Sequence, residues 1–262
     1  MTDITLYGYC TSPFVRKAAC CLWLKDLAFK HVPVSPINPA ETIGFTGQTQ
    51  VPVVQIGEDW RHDSTPIALW LDEVFPAAPR LAPTEPEARA RIMEIEAWAS
   101  GTFLPAMFRP AMEPIATLDQ RFRFWRLAQL VDSQTPLPAA VRQAWPDFVP
   151  NAPFIKAMAE TMDLTESASA MAMRVGLELA DHIGDGPFIG GAAEPGLVDA
   201  AVFPNLVFGF MAGLEDRLSA AAHPVIAGWL SRMAARLPDN PTLVTDDFLV
   251  RRLSDAGLAP AK

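Results

Sequence analysis

The first 75 residues alternate short apolar runs with helical stripes. Ile4 to Tyr7 is β-branched and aromatic and predicts a strand, Gly8 to Ser12 reads as a turn, and the Ser12-Pro13 step predicts a helix N-terminus. From Pro13 to about Lys25, Phe14, Ala18, Cys21 and Leu22 fall at i, i+4, i+7 and i+8. That is one apolar stripe, with Arg16 and Asp26 off it. Phe29 to Val34 predicts a second strand, at an edge because it contains Pro33. Pro36 to Gly47 leaves room for one short helix, and Val51 to Ile56 is a third strand. Gly57-Glu58-Asp59 then turns into a short fourth strand around Trp60 to His62. Asp63-Ser64 caps another helix, with Ile67, Leu71 and Val74 on one side. The order β-α-β-α-β-β-α is that of a small α/β sheet with helices packed on it.

Pro76 to Pro86 holds four prolines and no hydrophobic period, which predicts an extended linker. The expected division is a first domain over 1–76, a linker over 77–86 and an all-helical domain over 87–262. Beyond the linker one stripe is formed by Ile92, Ile95, Ala99 and Phe103. A second consists of Ala170, Met173, Leu177 and Ala180, and a third of Asp199, Phe203, Leu206 and Phe210. The stretch from Pro105 to Pro153 carries eight prolines and many Phe and Trp, and predicts short helices around Leu118 to Val131 and Pro138 to Trp145.

Composition narrows the function classes. Half of the residues are hydrophobic and 19% are charged, as in a packed globular protein. The net charge of -9 opposes binding to phosphate backbones, so nucleic acid is not an expected partner. No basic n-region with an apolar h-region opens the chain, and no apolar run has membrane-spanning length; the expectation is a cytosolic protein without membrane attachment. Cys10, Cys20 and Cys21 suit a reducing compartment, and neither they nor His31, His62, His182 and His223 have metal-ligand spacing. No metal site is expected.

Three constellations carry chemistry. Ser12 opens a helix directly after a strand. A helix N-terminus, with about half a positive charge and free N–H donors, stabilises a thiolate lying there, and a hydroxyl adds a charge-assisted hydrogen bond. Val51-Pro52 opens an apolar strand, where a cis bond leaves the N–H and C=O of Val51 free to pair with an extended peptide. Asp63-Ser64 opens a helix: hydroxyl and free N–H groups suit a carboxylate, and Asp63 an ammonium, together an α-amino-acid head. Alone, each also reads as ordinary capping or an ordinary strand start.

Together they resemble the glutathione-transferase superfamily, in a bacterial-type cytosolic form with a Ser-Pro motif. Ser12-Pro13-Phe14-Val15-Arg16 is similar to the family's catalytic Ser or Cys followed by Pro, Val51-Pro52 to its cis-proline, and Asp63-Ser64 to its γ-glutamyl-binding pair. Pro187-Phe188-Ile189-Gly190-Gly191, followed by Pro195-Gly196-Leu197-Val198-Asp199, resembles its Asp-containing capping motif at the start of a central helix. Gly196 stands where the family usually has Ser or Thr, and Gln50 where many members have Lys. The segment from 105 to 165 carries no recognisable motif.

The resemblance implies a thioredoxin-like N-terminal domain, a helical C-terminal domain, glutathione as co-substrate and a homodimer. Gln50, Val51, Pro52, Asp63 and Ser64 are the implied glutathione contacts. Ser12 and Cys10 compete for the reactive role, with register favouring Ser12; Cys10 would imply a thiol reductase. Tyr9, Trp98, Thr102, Phe103 and Met107 are implied to line an apolar cleft for a small hydrophobic electrophile, as in detoxification. Phe122-Arg123-Phe124-Trp125 reaches either that cleft or a dimer partner. A glutathione-dependent lyase or isomerase, or a non-catalytic binding protein, are the other readings of this scaffold.

Overall fold

The structure, a computed structural model, describes residues 3–113 and 115–258; Met1 and Lys262, the outer limits of the expected domains, lie outside them. The first half contains β1 (Ile4–Tyr7), α1 (Pro13–Leu24), β2 (Lys30–Val32), α2 (Ala40–Ile43), β3 (Val53–Ile56), β4 (Asp59–His62) and α3 (Ser64–Val74). The sheet order is β2-β1-β3-β4, with β2 parallel to β1 and the other pairs antiparallel. Two strands are shorter than their apolar runs. Phe29 stacks on Trp23 of α1 instead of entering β2, and Pro52, which has no N–H for a ladder, delays the start of β3 to Val53.

α1 is covered on two sides, by the sheet and by α10 (Leu197–Met211). Its burial therefore departs from a single stripe. Ala18, Cys21 and Leu22 are buried as predicted, whereas Phe14 is exposed at the first turn; Arg16, predicted off the stripe, is buried, and so is Lys17. In α3, Ile67 and Leu71 are buried but Val74 in the last turn is exposed. Residues 75–85 form no helix or strand. They are pinned by Asp72, whose carboxylate accepts from the N–H of Leu81 and of Ala82 at 3.0 Å each. Lys25 Nζ donates to Asp72 at 2.8 Å and to the Pro79 carbonyl at 2.9 Å.

The second half is helical. α4 (Pro86–Trp98) passes through one π-helical turn at Ala99–Phe103 into α5 (Leu104–Phe108). Next come α6 (Leu118–Asp132), α7 (Ala139–Phe148), α8 (Pro153–Glu160), α9 (Ala168–Ile183), α10 and α11 (Pro224–Ala234). α10 is the axle of this half, buried almost all round. At its start Asp199 accepts from the N–H groups of Gly196 (2.9 Å) and Ile189 (3.1 Å) and from the Trp229 indole (2.7 Å). α9 turns a different face inward from the one predicted. Met171, Val175, Leu179 and Ile183 are buried with Ala180, while Ala170, Met173 and Leu177 are exposed.

Candidate functional site

Strand register assembles the site. Tyr7, the last residue of β1, pairs with Val53, the first of β3, and Val53 pairs with His62, the last of β4. The Gly8–Ser12 turn, the Val51-Pro52 step and the Asp63–Ser64 helix start therefore lie side by side at one end of the sheet. The Val51–Pro52 bond is cis, and Val51 precedes the ladder, so its main-chain N–H and C=O stand outside it.

Ser12 is the N-cap of α1. Its backbone N–H closes the turn on the Tyr9 carbonyl at 3.0 Å, and its Oγ accepts the Val15 N–H at 3.4 Å. A hydroxyl has two acceptor sites and one donor. Capping uses an acceptor, so the Ser12 O–H remains free to donate to an anion at the helix start. Gly8 is required behind this turn: it has φ +158, and a Cβ there would stand 2.3 Å from a Val15 methyl.

At α3 the expected cap takes another form. Asp63 occupies the N-cap position with φ 67, but its carboxylate makes no capping bond; it is exposed, while Ser64 behind it is buried. Thr65, the next residue, is tied inward: Lys17 Nζ donates to its Oγ1 at 2.6 Å, and that hydroxyl donates to Glu96 Oε1 of α4 at 2.9 Å. Lys17 and Glu96 form a buried ion pair. Gln50 is exposed beside Val51.

Cys10 faces the other way. It is fully buried, its Sγ lies 3.8 Å from the Leu130 carbonyl of α6, and burial pushes its thiol up to about 12 in spite of the nearby Arg16 and Arg126. Its main chain is held at both ends. The N–H donates to Gln134 Oε1 at 2.9 Å, and the carbonyl accepts from Arg16 Nη1 at 2.6 Å. Arg16 also donates to Asn205 Oδ1 of α10 at 2.8 and 3.1 Å and stacks 3.8 Å from the centre of the Phe208 ring. Burial lowers its pKa to about 9, so it stays a cation at neutral pH.

The residues implied for the electrophile scatter. Tyr9 lies within the turn, and burial raises its hydroxyl pKa, which keeps it protonated. Trp98 donates to Glu178 of α9 at 2.8 Å and packs against His182 and Phe103, in the seam between α4 and α9. Phe103 is buried, Thr102 is half-buried and Met107 is at the surface. Of the aromatic run in α6, Phe124 is in the core with Trp145 and Leu137, while Phe122 and Trp125 are exposed. The far end of α6 is the part that reaches the turn: Leu127 and Leu130, with Phe208, Val244 and Phe248, pack around Cys10. An open groove of about 560 Å³ follows β4 from Glu58 to Asp63 and meets the site only at Asp63.

Residues 6–80 match the family model for the glutathione S-transferase N-terminal domain. Over that stretch the chain is similar to the N-terminal domain of glutathione S-transferases. Ninety-nine residues, 37% of the chain, are 35% identical to the uncharacterised GST-like protein YibF of Escherichia coli K12. The match spans about half (48%) of that relative's length. A glutathione S-transferase from Rhodospirillum rubrum F11 superposes with a TM-score of 0.64 at 19% identity, covering 97% of this chain and 99% of that one. One from Methylobacterium radiotolerans, in complex with glutathione sulfonate, gives 0.57 at 19% identity over 100% and 97%. These likenesses establish the fold over both halves: a thioredoxin-like domain followed by a helical one.

Proposed function

We propose that this protein is a glutathione transferase in which the Ser12 hydroxyl donates to the glutathione thiolate. The observation that carries the reading is the Ser12 geometry: an N-cap whose donor is unspent, at the sheet end that also presents Val51 and Ser64. The peptide backbone of glutathione pairs with the free main chain of Val51, beside Gln50 and Pro52. Its γ-glutamyl carboxylate takes the Ser64 hydroxyl and the first N–H groups of α3, and its ammonium takes the exposed Asp63 carboxylate. The glutathione sulfonate complex of the Methylobacterium protein, which shares this fold, supports glutathione as the co-substrate.

The chemistry asked of the protein is modest. A hydroxyl bond and a helix end together contribute on the order of 2 kcal/mol, which lowers a thiol pKa by roughly 1.5 units. The thiolate then attacks an electrophilic carbon and expels its leaving group. The electrophile in this proposal is a small hydrophobic molecule. Homodimeric assembly and a cytoplasmic location belong to the same proposal. Cys10 serves a thiol reductase poorly, because an enclosed sulfur with a pKa of about 12 supplies almost no thiolate at neutral pH.

Thiolate absorbance of bound glutathione, followed against pH, tests the reading. The apparent pKa is expected well below that of free glutathione, and Ser12→Ala is expected to raise it by about one unit or more. A pKa unmoved in Ser12→Ala but shifted in Cys10→Ala would transfer the role to Cys10. Absence of glutathione binding would favour a binding protein that has kept only the fold.

A further inference from the structure

The residue that stands on Cys10 from outside the first domain belongs to the stretch in which the sequence shows no motif. Gln134 follows α6 by two residues and lies 124 positions from Cys10. Its amide makes two hydrogen bonds of opposite sense: Oε1 accepts the Cys10 N–H at 2.9 Å, and Nε2 donates to the Leu243 carbonyl at 2.8 Å. Only a side chain with an acceptor and a donor on one planar group satisfies both, and the pair fixes which way the amide points. Thr245 Oγ1 meets Ser133 Oγ at 3.4 Å beside it, and Arg126 donates to the Ala212 carbonyl at 3.0 Å and to the Phe248 carbonyl. The 243–248 segment and the end of α6 are thereby joined above the turn.

The turn below is anchored at its start by Gly8, whose N–H donates to the Val32 carbonyl at 3.1 Å and whose carbonyl accepts from the Val34 N–H at 3.3 Å and lies 2.9 Å from His31 Nε2. Arg16 holds the Cys10 carbonyl, and the Ser12 N–H closes on Tyr9. Gln134 restrains the peptide that precedes Cys10, two residues ahead of the hydroxyl that must meet the thiolate. We propose that Gln134 is a positioning residue for the thiol-activating turn, fixing the Tyr9–Cys10 peptide so that the Ser12 O–H and the first N–H groups of α1 converge on one sulfur. The inference rests on the reading of Ser12 given above. It assigns a role in the reaction to the 105–165 segment, in which the end of α6 delivers the amide.

The test uses the full-length protein and Gln134→Met, which keeps length and bulk but neither hydrogen bond. Trp229→Phe, which gives up the indole bond to Asp199 and part of a fully buried ring, controls for loss of stability. Three quantities are read: the thiol pKa of bound glutathione, kcat and KM with an activated aryl halide, and amide hydrogen exchange of a peptide covering residues 9–13. In Gln134→Met the thiol pKa is expected to rise by about half a unit to one unit. kcat is expected to fall about three- to tenfold with KM for glutathione within about twofold, because geometry rather than affinity is lost. Exchange at residues 9–13 should speed up. Trp229→Phe should lower the melting temperature without moving the thiol pKa, even where it destabilises more than Gln134→Met does. Arg16 and Arg126, the cations nearest Cys10, are untouched in both variants. If Ser12→Ala shifts the thiol and Gln134→Met does not, the positioning role is overturned while the transferase reading stands. If neither variant moves it, both are overturned.

Discussion

At the scale of single residues, the least conventional group is Arg16. It is a buried cation that meets no carboxylate within salt-bridge distance among the described residues; its partners are the Asn205 amide oxygen, the Cys10 carbonyl and the face of Phe208. A planar guanidinium spans all three at once, and an ammonium does not. Arg16→Lys is therefore expected to cost about 2 kcal/mol, through lost bonds and lost stacking together, despite keeping the charge. Urea unfolding would measure it, and a loss below about half a kilocalorie would mean that the guanidinium geometry is unimportant. The sequence showed Arg16 four residues after Ser12 and off the apolar stripe. Its burial follows from α10, a helix some 190 positions away, arriving on that side of α1.

At the scale of elements, the start of α10 shows a local rule giving way to packing. Glycine is a weaker cap than serine, yet a Cβ at Gly196 would stand 2.5 Å from the Leu81 carbonyl oxygen, which accepts the Leu197 N–H at 2.8 Å. The pinned 75–85 segment leaves no room for a side chain. Gly196→Ser is thus expected to destabilise by about 2 kcal/mol or more, although it restores a better capping residue; a higher melting temperature in that variant would refute the close approach. Asp199 beside it carries a pH signature. Burial raises its pKa to about 6 against three donated hydrogen bonds. Between the ordinary carboxylate value near 3.8 and about 6 the folded state holds more protons than the unfolded chain, so this group makes the protein less stable as pH rises through that window, by roughly 3 kcal/mol in total. Asp199→Asn loses the Gly196 bond at every pH, and its deficit relative to the native protein should shrink as pH rises from 4 to about 7. Thermal unfolding across that range decides it. α9 shows why periodicity alone fell short: Met171, Met173, Val175, Leu177 and Leu179 are apolar at every second position, so two faces of the helix offer a stripe, and only the neighbouring elements select one.

For the whole molecule, the question is whether two domains of different architecture behave as one. The order of the elements along the first half, the proline opening the third strand and both candidate helix starts were legible in the sequence because they depend on neighbours a few residues away. The contacts that fasten the halves together were not, since each joins positions far apart: Lys17 with Glu96, Arg16 with Asn205, Cys10 with Gln134. All three start from α1 or the turn before it, so the helix that presents Ser12 is also the main seam of the molecule. Without the helical half the α1 face that packs on α10 would be uncovered, and Lys17 and Glu96 would each lose a buried partner on separation. A single cooperative unfolding transition is therefore expected, with tryptophan fluorescence and far-ultraviolet circular dichroism giving the same midpoint. Glu96→Gln leaves the buried Lys17 ammonium facing neutral partners only. It should lower that midpoint by the equivalent of about 3 kcal/mol or more while preserving the coincidence of the two probes. Two separate transitions in the native protein would show that the helical half stands alone, and the seam at α1 would then be a contact between independent domains rather than a shared core.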